Sequence, residues 1–240
     1  MSKTLPLPGE VFDLDECEAF VIRSDSAPAE DAPWVWYAPT LPQYPDQNET
    51  WMFEQFMDAG ISICGIDVGE SWGSPNGRRA YSTLYDHLVG LGYSRRPALL
   101  PRSRGGLMLY NWAAENASCV TCVAAIYPVC HLCDDWLELA VEPYGLSMEQ
   151  VVENSAQHNP VERLGSLAEA DVPIYHIHGD VDDIVPVEIH STLLAERYRA
   201  LGGHVTVNVA EGQGHSLWEG FFQCQELVDF VIGNVKGEAS

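Results

Sequence analysis

The chain has 240 residues, of which 46% are hydrophobic and 10% aromatic, so it has the composition of a globular protein with a sizeable core. Its 35 acidic and 12 basic side chains give a formal net charge of −23. A charge of this sign argues against nucleic acid and anionic membranes as partners, because both would be repelled.

The sequence contains no run of about 18 apolar residues, so we expect no membrane-spanning segment. The N-terminus lacks the apolar core of a signal peptide, and we therefore expect a cytoplasmic protein.

Predicted strands and helices alternate along most of the chain. Residues 1–17 are rich in proline and then acidic, and we expect them to wrap the edge of the domain. Strands are predicted at 19–23, 34–38, 61–66, 98–100, 120–127, 172–177 and 205–209, and helices at 48–59, 81–91, 107–116, 187–201 and 218–232. This alternation predicts a single α/β domain over residues 1–240, with a mostly parallel central sheet and helices on both faces.

One interval, residues 131–171, has only helical patterns, at 134–141, 147–156 and 160–170. It is long enough for two or three short helices but too short for a separate domain. We therefore predict a small helical cap inserted into the α/β domain.

A serine, Ser103, stands between the strand at 98–100 and the helix at 107–116, and Gly105 and Gly106 follow it. This is the G-x-S-x-G pattern with one departure, because Pro101 occupies the position of the first glycine. A sharp strand–turn–helix geometry lifts a serine hydroxyl clear of the sheet, and small residues let the two backbones approach closely. The pattern predicts a nucleophile.

Two further loops each follow a predicted strand. One is the segment from His178 to Pro186, which contains Asp182, and the other is the Gly-Gln-Gly-His segment that ends at His215. A serine hydroxyl needs a base within reach, and the base needs a carboxylate that fixes its tautomer. Because active sites of parallel sheets lie at the carboxyl ends of strands, we expect these loops to meet Ser103 there.

The Ser-x-Gly-Gly, H-G-x-x-D-x-x-V-P and G-x-G-H motifs, in this order, resemble the α/β-hydrolase family from about residue 33 to residue 232. They look most like the prolyl-oligopeptidase and acetyl-esterase branches. The resemblance implies an α/β-hydrolase fold, with Ser103 as nucleophile, His215 as base and Asp182 as acid. Asp180 and Asp183 stand close by as alternatives for the acid, and we interpret His178 as a structural residue of the loop.

The same resemblance implies an oxyanion hole. The main-chain N–H of Arg104, directly after the nucleophile, is the expected first donor. The second should come from the loop after the strand at 34–38; Pro39 has no N–H, so we expect Thr40 to donate, with Leu41 in reserve.

Arg102 directly precedes the nucleophile and has two possible roles. A buried arginine needs a partner, and we expect an ion pair with Asp67 or Glu70; the alternative is that it binds an anionic or polyhydroxyl substrate. The other candidate substrate-binding residues lie on loops expected to ring the pocket: Trp72, His131 and Trp218.

Cysteine spacing raises the question of a metal. Cys119-x-x-Cys122 and Cys130-x-x-Cys133 have the spacing of zinc ligands, but an apolar strand separates the two pairs, so we favour reduced, mostly buried thiols. We expect no metal and no cofactor.

Three functions are compatible with these motifs. The favoured one is a serine carboxylesterase that cleaves small acyl or aryl esters, including acylated carbohydrates, through an acyl-enzyme. The alternatives are a prolyl-oligopeptidase-like peptidase and a non-catalytic binding protein of the same fold. The expected partner is a small-molecule ester, and self-association into a homo-oligomer stays open.

Overall fold

The computed structural model describes residues 3–132 and 134–237. Its centre is an eight-stranded sheet in the order β1-β2-β4-β3-β5-β6-β7-β8. The strands are β1 (Glu10–Leu14), β2 (Cys17–Ile22), β3 (Trp34–Ala38), β4 (Ser62–Ile66), β5 (Ala98–Pro101), β6 (Cys122–Ile126), β7 (Ile174–Gly179) and β8 (Val205–Ala210). β1 and β2 pair antiparallel at one edge, β2 pairs antiparallel with β4, and all other pairings are parallel.

The central strands are buried along their whole length because helices cover both faces of the sheet. In β3, Trp34 and Trp36 point to one face, while Val35 and Tyr37 point to the other. The predicted mostly parallel sheet with two covered faces is therefore confirmed.

The α-helices are α1 (Thr50–Asp58), α2 (Pro75–Gly90), α3 (Gly105–Glu115), α4 (Asp134–Tyr144), α5 (Met148–Glu153), α6 (Gly165–Glu169), α7 (Leu193–Ala200), α8 (Glu219–Phe222) and α9 (Gln225–Lys236). Short 3₁₀ turns lie at Gln47–Glu49, Ala117–Cys119, Ser155–Gln157 and Pro160–Glu162. α1 and α9 pack on one face of the sheet, and α2, α3 and α7 pack on the other.

Several boundaries differ from those predicted. α2 begins at Pro75, six residues earlier than expected, because Ser74 caps the helix through the Gly77 N–H and proline suits the first helical position. The helix predicted over 187–201 begins with a π-helical turn at Glu188–Thr192. The N-terminal segment contributes the edge strand β1, which pairs with β2.

Between β6 and β7, the described residues contain helices and no strand, as expected for the 131–171 insertion. Its apolar side chains, among them Leu137 and Tyr144, pack against Trp72 and Leu107 above the carboxyl edge of the sheet. The assignment of residues 1–240 to one domain stays a prediction. Nowhere in the described part of the chain does a helix combine the length and apolar character needed to cross a membrane.

Candidate active site

Ser103 stands in the sharp turn between β5 and α3, with a φ of 50°. A non-glycine residue adopts this left-handed conformation at an energetic cost, which is typical of functional turns. The turn is held by the Ser103 N–H, which donates to the Ile126 carbonyl at 3.0 Å, and by the Ser103 carbonyl, which accepts from the Val129 N–H at 2.8 Å. The strand–turn–helix geometry predicted for this stretch is present.

The two glycines after the serine are required by close backbone approach. A Cβ on Gly105 would lie 2.2 Å from the Ala38 carbonyl oxygen, and a Cβ on Gly106 would lie 2.4 Å from that of Val129. Pro101 takes the place of the expected first glycine without breaking the strand, since the Arg102 N–H makes the neighbouring bond to Ala38 at 2.7 Å. The departure from the motif is therefore accommodated by the local backbone.

The structure brings together the three residues that the motifs single out. Ser103 Oγ lies 2.9 Å from His215 Nε2, and His215 Nδ1 lies 2.8 Å from Asp182 Oδ2. Asp182 can only accept when ionised, so Nδ1 carries the proton and Nε2 is free to accept from the serine hydroxyl. The orientation is that of a base ready to deprotonate Ser103.

Asp182 is buried and heavily hydrogen-bonded. Its Oδ1 accepts from the main-chain N–H groups of Ile184 at 3.1 Å and Val185 at 2.7 Å. Burial alone would raise the pKa of Asp182, but hydrogen bonds from His178, His215 and the Val185 amide outweigh it and hold the pKa well below its usual value. The carboxylate is therefore ionised at neutral pH.

The two neighbouring aspartates have different surroundings. Asp180 Oδ1 accepts from the Gly212 N–H at 2.6 Å. This bond joins the loop of residues 178–186, which we call the acid loop, to the loop of residues 212–215, which we call the histidine loop. Asp183 is exposed. Of the three, Asp182 is the one hydrogen-bonded to His215.

A cavity of about 270 Å³ opens at the serine hydroxyl. Its lining consists of Pro39, Tyr44, Arg102, Ser103, Arg104, Tyr127, His215, Ser216 and Leu217. We call it the catalytic cavity. A larger cavity of about 780 Å³ lies between α2 and α4 and does not include Ser103 or His215.

Arg102 lines the catalytic cavity and is buried, but its ion-pair partner was predicted wrongly. Nη1 lies 2.6 Å from Glu49 Oε1 and 3.8 Å from Asp46 Oδ2, whereas Asp67 and Glu70 are not its partners. Glu70 pairs instead with Arg104, whose Nε lies 2.8 Å from Glu70 Oε2.

Aromatic groups complete the surroundings of Arg102. Its Nε donates to the Tyr127 hydroxyl at 3.2 Å, and its guanidinium lies over the rings of Tyr44, at 4.6 Å, and Phe222, at 4.9 Å. Glu49 accepts further bonds from the Tyr37 hydroxyl and the Asp46 N–H. This buried network supports the structural role of Arg102.

The predicted oxyanion donors have contrasting positions. Among the described residues, the Arg104 main-chain N–H has no hydrogen-bond partner, and Arg104 lines the catalytic cavity. Thr40 is buried outside that lining and pairs with Asp67 in a parallel bridge. The N–H of Leu41 donates to the Tyr44 carbonyl at 3.1 Å. The structure therefore does not place the Thr40–Leu41 segment at the cavity.

The remaining substrate-binding candidates lie outside the catalytic cavity. Trp72 lines the larger cavity beside α4, where its ring packs on Trp136 at 5.5 Å. His131 packs on the buried ring of His190 at 6.5 Å. Trp218 follows the histidine loop and packs edge-on against Phe221 at 5.2 Å.

Sequence reasoning missed three residues of the site. Tyr127 packs on His215, with ring centroids 4.4 Å apart, and Tyr44 also lines the catalytic cavity. Glu49 was hidden in a polar stretch, although the Asp46-x-x-Glu49 spacing is that of a capping box, which forms here. The position of Tyr127 at the end of β6 was a usable signal, because that strand ends at the same sheet edge as β5.

The described residues contain no cluster of three or more His, Cys, Asp or Glu side chains arranged to hold a metal ion. Cys122 and Cys130 are buried and Cys119 is partly buried, each as a free thiol. Cys133, the fourth member of the suggested pairs, lies outside the described residues.

Comparison with known proteins shows what this chain is similar to in fold and, over part of its length, in sequence. A family model described as phospholipase/carboxylesterase matches residues 151–231, about a third of the chain, which include Asp182 and His215. No curated protein sequence matches the chain.

Solved structures match over nearly the whole chain at low sequence identity. Est1E from Butyrivibrio proteoclasticus is 13% identical, with a TM-score of 0.71, over 95% of this chain and 99% of its own. An S-formylglutathione hydrolase from Agrobacterium tumefaciens is 16% identical, with a TM-score of 0.72, over 96% and 94%. A puromycin-hydrolyzing peptidase from Mycobacterium tuberculosis is 16% identical, with a TM-score of 0.72, over 94% of this chain but only 39% of its own. This chain therefore has the α/β-hydrolase fold, and over residues 151–231 its sequence matches the phospholipase/carboxylesterase family model.

Proposed function

We propose that this protein is a carboxylesterase in which Ser103 is the nucleophile, His215 the general base and Asp182 the residue that orients His215. The observation that carries the proposal is the hydrogen-bonded series from Ser103 Oγ through the imidazole to Asp182, with distances of 2.9 and 2.8 Å. A serine in this arrangement is activated by the adjacent base.

The reaction follows from these positions. His215 Nε2 takes the proton of the serine hydroxyl as Oγ attacks the acyl carbon, and Asp182 stabilises the resulting imidazolium. The tetrahedral intermediate carries its negative charge on the former carbonyl oxygen, which the Arg104 N–H stabilises. The intermediate collapses, the alcohol leaves with the proton from His215, and a water deprotonated by His215 then hydrolyses the acyl-enzyme.

The catalytic cavity favours a compact acyl group. Its volume of about 270 Å³ is small for a ligand site, and the rings of Tyr44 and Tyr127 flank it. We therefore infer that the acyl part is short or a single aryl ring.

A neighbouring cavity, of about 420 Å³, shares Leu217 with the catalytic cavity, and we infer that it receives the alcohol. Its other lining residues are mostly polar: Gln47, Asn48, Thr50, Trp51, Glu54, Glu219, Phe222 and Gln223. Amide, hydroxyl and carboxylate groups beside an indole suit a larger polyhydroxyl alcohol, which favours acylated carbohydrates as substrates.

A peptidase is the second candidate, on one observation. The fold of the puromycin-hydrolyzing peptidase matches nearly all of this chain, but that protein is more than twice as long. We rank ester hydrolysis first because the family model that residues 151–231 match is described as phospholipase/carboxylesterase. A non-catalytic binding protein ranks third, because Ser103, His215 and Asp182 are all present and hydrogen-bonded.

The test is a substrate panel with the purified protein. It includes p-nitrophenyl acetate, acetylated and feruloylated sugars, and short peptide p-nitroanilides, together with a fluorophosphonate label and peptide mapping. We expect ester turnover and labelling of Ser103. Turnover of peptides alone would favour the peptidase, and neither turnover nor labelling would favour the binding protein.

A further inference from the structure

Beneath the acid loop, four buried side chains form a hydrogen-bonded series that ends at the Val185 carbonyl, beside Asp182. The Tyr110 hydroxyl lies 2.6 Å from His176 Nε2, and His176 Nδ1 lies 2.8 Å from Ser191 Oγ. Ser191 Oγ lies 2.8 Å from His178 Nδ1, and His178 Nε2 lies 3.4 Å from Asp182 Oδ2. Tyr110 is 1% exposed, and His176, His178 and Ser191 are fully buried. Solvent therefore does not compete for these bonds.

The direction of each bond follows from the donors and acceptors that neutral rings offer. His178 Nε2 lies 2.7 Å from the Val185 carbonyl, which can only accept, so Nε2 carries the proton and Nδ1 accepts. The single Ser191 proton then points to His178, and Ser191 Oγ accepts from His176 Nδ1. His176 Nε2 is left as an acceptor for the Tyr110 hydroxyl. Burial lowers the pKa of His176 to about 3, which keeps that ring neutral.

At its last member, His178, the series meets the main chain of Val185 in the acid loop, and Val185 in turn contacts Asp182. The Val185 carbonyl accepts from His178 Nε2, and the Val185 N–H donates to Asp182 Oδ1 at 2.7 Å. His178 thus contacts Asp182 directly and also through Val185. The π-helical turn Glu188–Thr192 places Ser191 in the series, and such turns are frequent at functional sites.

We infer that Tyr110, His176, Ser191 and His178 form a positioning relay that holds Asp182 in the orientation His215 requires. This inference rests on the proposed catalytic role of Asp182. None of the four touches the serine hydroxyl, so they are positioning residues.

The relay predicts a long-range effect from its far end. Without the Tyr110 hydroxyl, His176 Nε2 is a buried acceptor that has lost its donor, and the ring of His176 shifts to relieve that loss. The shift is passed through Ser191 to His178, whose Nε2–H donates to the Val185 carbonyl and faces the Asp182 carboxylate. The acid loop is then displaced.

The first experiment compares Tyr110→Phe with Tyr198→Phe. Tyr198 is also fully buried, and its hydroxyl makes one hydrogen bond, to the Val172 carbonyl at 2.7 Å, outside the relay. Each variant loses one buried hydroxyl. We expect Tyr110→Phe to lower kcat on p-nitrophenyl acetate about 10-fold with little change in KM, because small displacements of catalytic groups are costly. The control should stay within about twofold of wild type.

The second experiment adds Ser191→Ala and the double variant with Tyr110→Phe. If the hydroxyl of Tyr110 acts through Ser191, its removal costs nothing further once Ser191 is gone, so the effects on kcat are non-additive. Two independent structural roles would give effects on kcat that multiply, and that result would overturn the relay. Melting temperatures of all variants show whether each is folded.

A third measurement tests the relay through the histidine tautomers and does not depend on enzyme activity. Histidine ¹⁵N chemical shifts of the wild-type protein should assign the proton to Nδ1 in His176 and to Nε2 in His178, and Tyr110→Phe should move the signals of both rings without reversing the tautomer of His178. Wild-type shifts with the opposite tautomers would overturn the inference. Failure of the proposed function has a different signature: no ester turnover and no labelling of Ser103, whatever the tautomers.

Discussion

Arg102 Nη1 lies 2.6 Å from Glu49 Oε1, and both side chains are buried beside the catalytic cavity. The pair joins the residue before the nucleophile to the capped turn that begins at Asp46. The Tyr37 hydroxyl also donates to Glu49, at 2.8 Å, so the carboxylate is well satisfied. The pair therefore anchors that turn to the end of β5.

Arg102→Met should destabilise the fold by about 3–5 kcal/mol, because it leaves the buried Glu49 carboxylate without its counter-charge. The control is Arg104→Met, whose partner Glu70 is largely exposed and whose loss should cost about 1 kcal/mol or less. Urea denaturation of both variants measures the difference. A melting temperature of Arg102→Met within a degree or two of wild type would contradict the structural role of the pair.

Ser103→Ala and His215→Ala should each lower turnover by several orders of magnitude and leave the fold intact. The two residues act as a unit, so the double variant should be hardly worse than either single one. Steady-state hydrolysis of p-nitrophenyl acetate, with circular dichroism as the folding control, measures this. Equal activity of wild type and Ser103→Ala would rule out the proposed mechanism.

Asp182→Asn should lower turnover on the order of 10⁴-fold, by analogy with the serine-protease triad, because an amide no longer enforces the tautomer of His215. Asp180→Asn keeps an oxygen that can accept from the Gly212 N–H, and Asp183 is exposed, so both substitutions should cost far less. The three variants are compared by kcat on one ester. If Asp180→Asn were the most damaging, the assignment of the acid would be wrong.

Lowering the pH should begin to destabilise the protein at pH values well above those at which carboxylates titrate. Burial lowers the pKa of His176 and of His190 to about 3 each, from 6.5. Below pH 6.5 the unfolded chain binds protons at these residues and the folded protein does not. Their contribution to stability is therefore complete above pH 6.5 and falls by about 1.4 kcal/mol per pH unit for each histidine as the pH drops toward 3.

Urea denaturation at pH 7 and pH 5 measures how the free energy of unfolding changes with pH. His190→Asn is the matched comparison, because an amide oxygen can still accept from the Cys130 and His131 N–H groups that His190 Nδ1 binds. In the variant, the free energy of unfolding should change less with pH, by the equivalent of about one bound proton. Identical slopes for wild type and variant would contradict a depressed pKa of His190.

The order of strands and helices, and the loops that carry Ser103, Asp182 and His215, could be predicted from the sequence. These features depend on local signals: apolar runs that end at glycine or a polar loop, and the rule that parallel strands end at one edge. The small helical insertion was also predictable, because the lack of strand patterns over residues 131–171 can be seen within that segment alone. Boundaries such as the start of α2 at Pro75 depended on one capping contact that a periodicity argument overlooks.

The tertiary structure alone decided which residues meet across the sheet edge. Glu49 lies 53 positions before Arg102, and the order β4-β3-β5, which the sequence did not reveal, brings the turn after β3 beside the end of β5. The same long-range packing placed Tyr44 and Tyr127 at the cavity and left Thr40 and Trp72 outside it. Periodicity and motifs describe each segment separately, whereas an ion pair or a cavity wall depends on the relative placement of several segments, and strand order sets that placement.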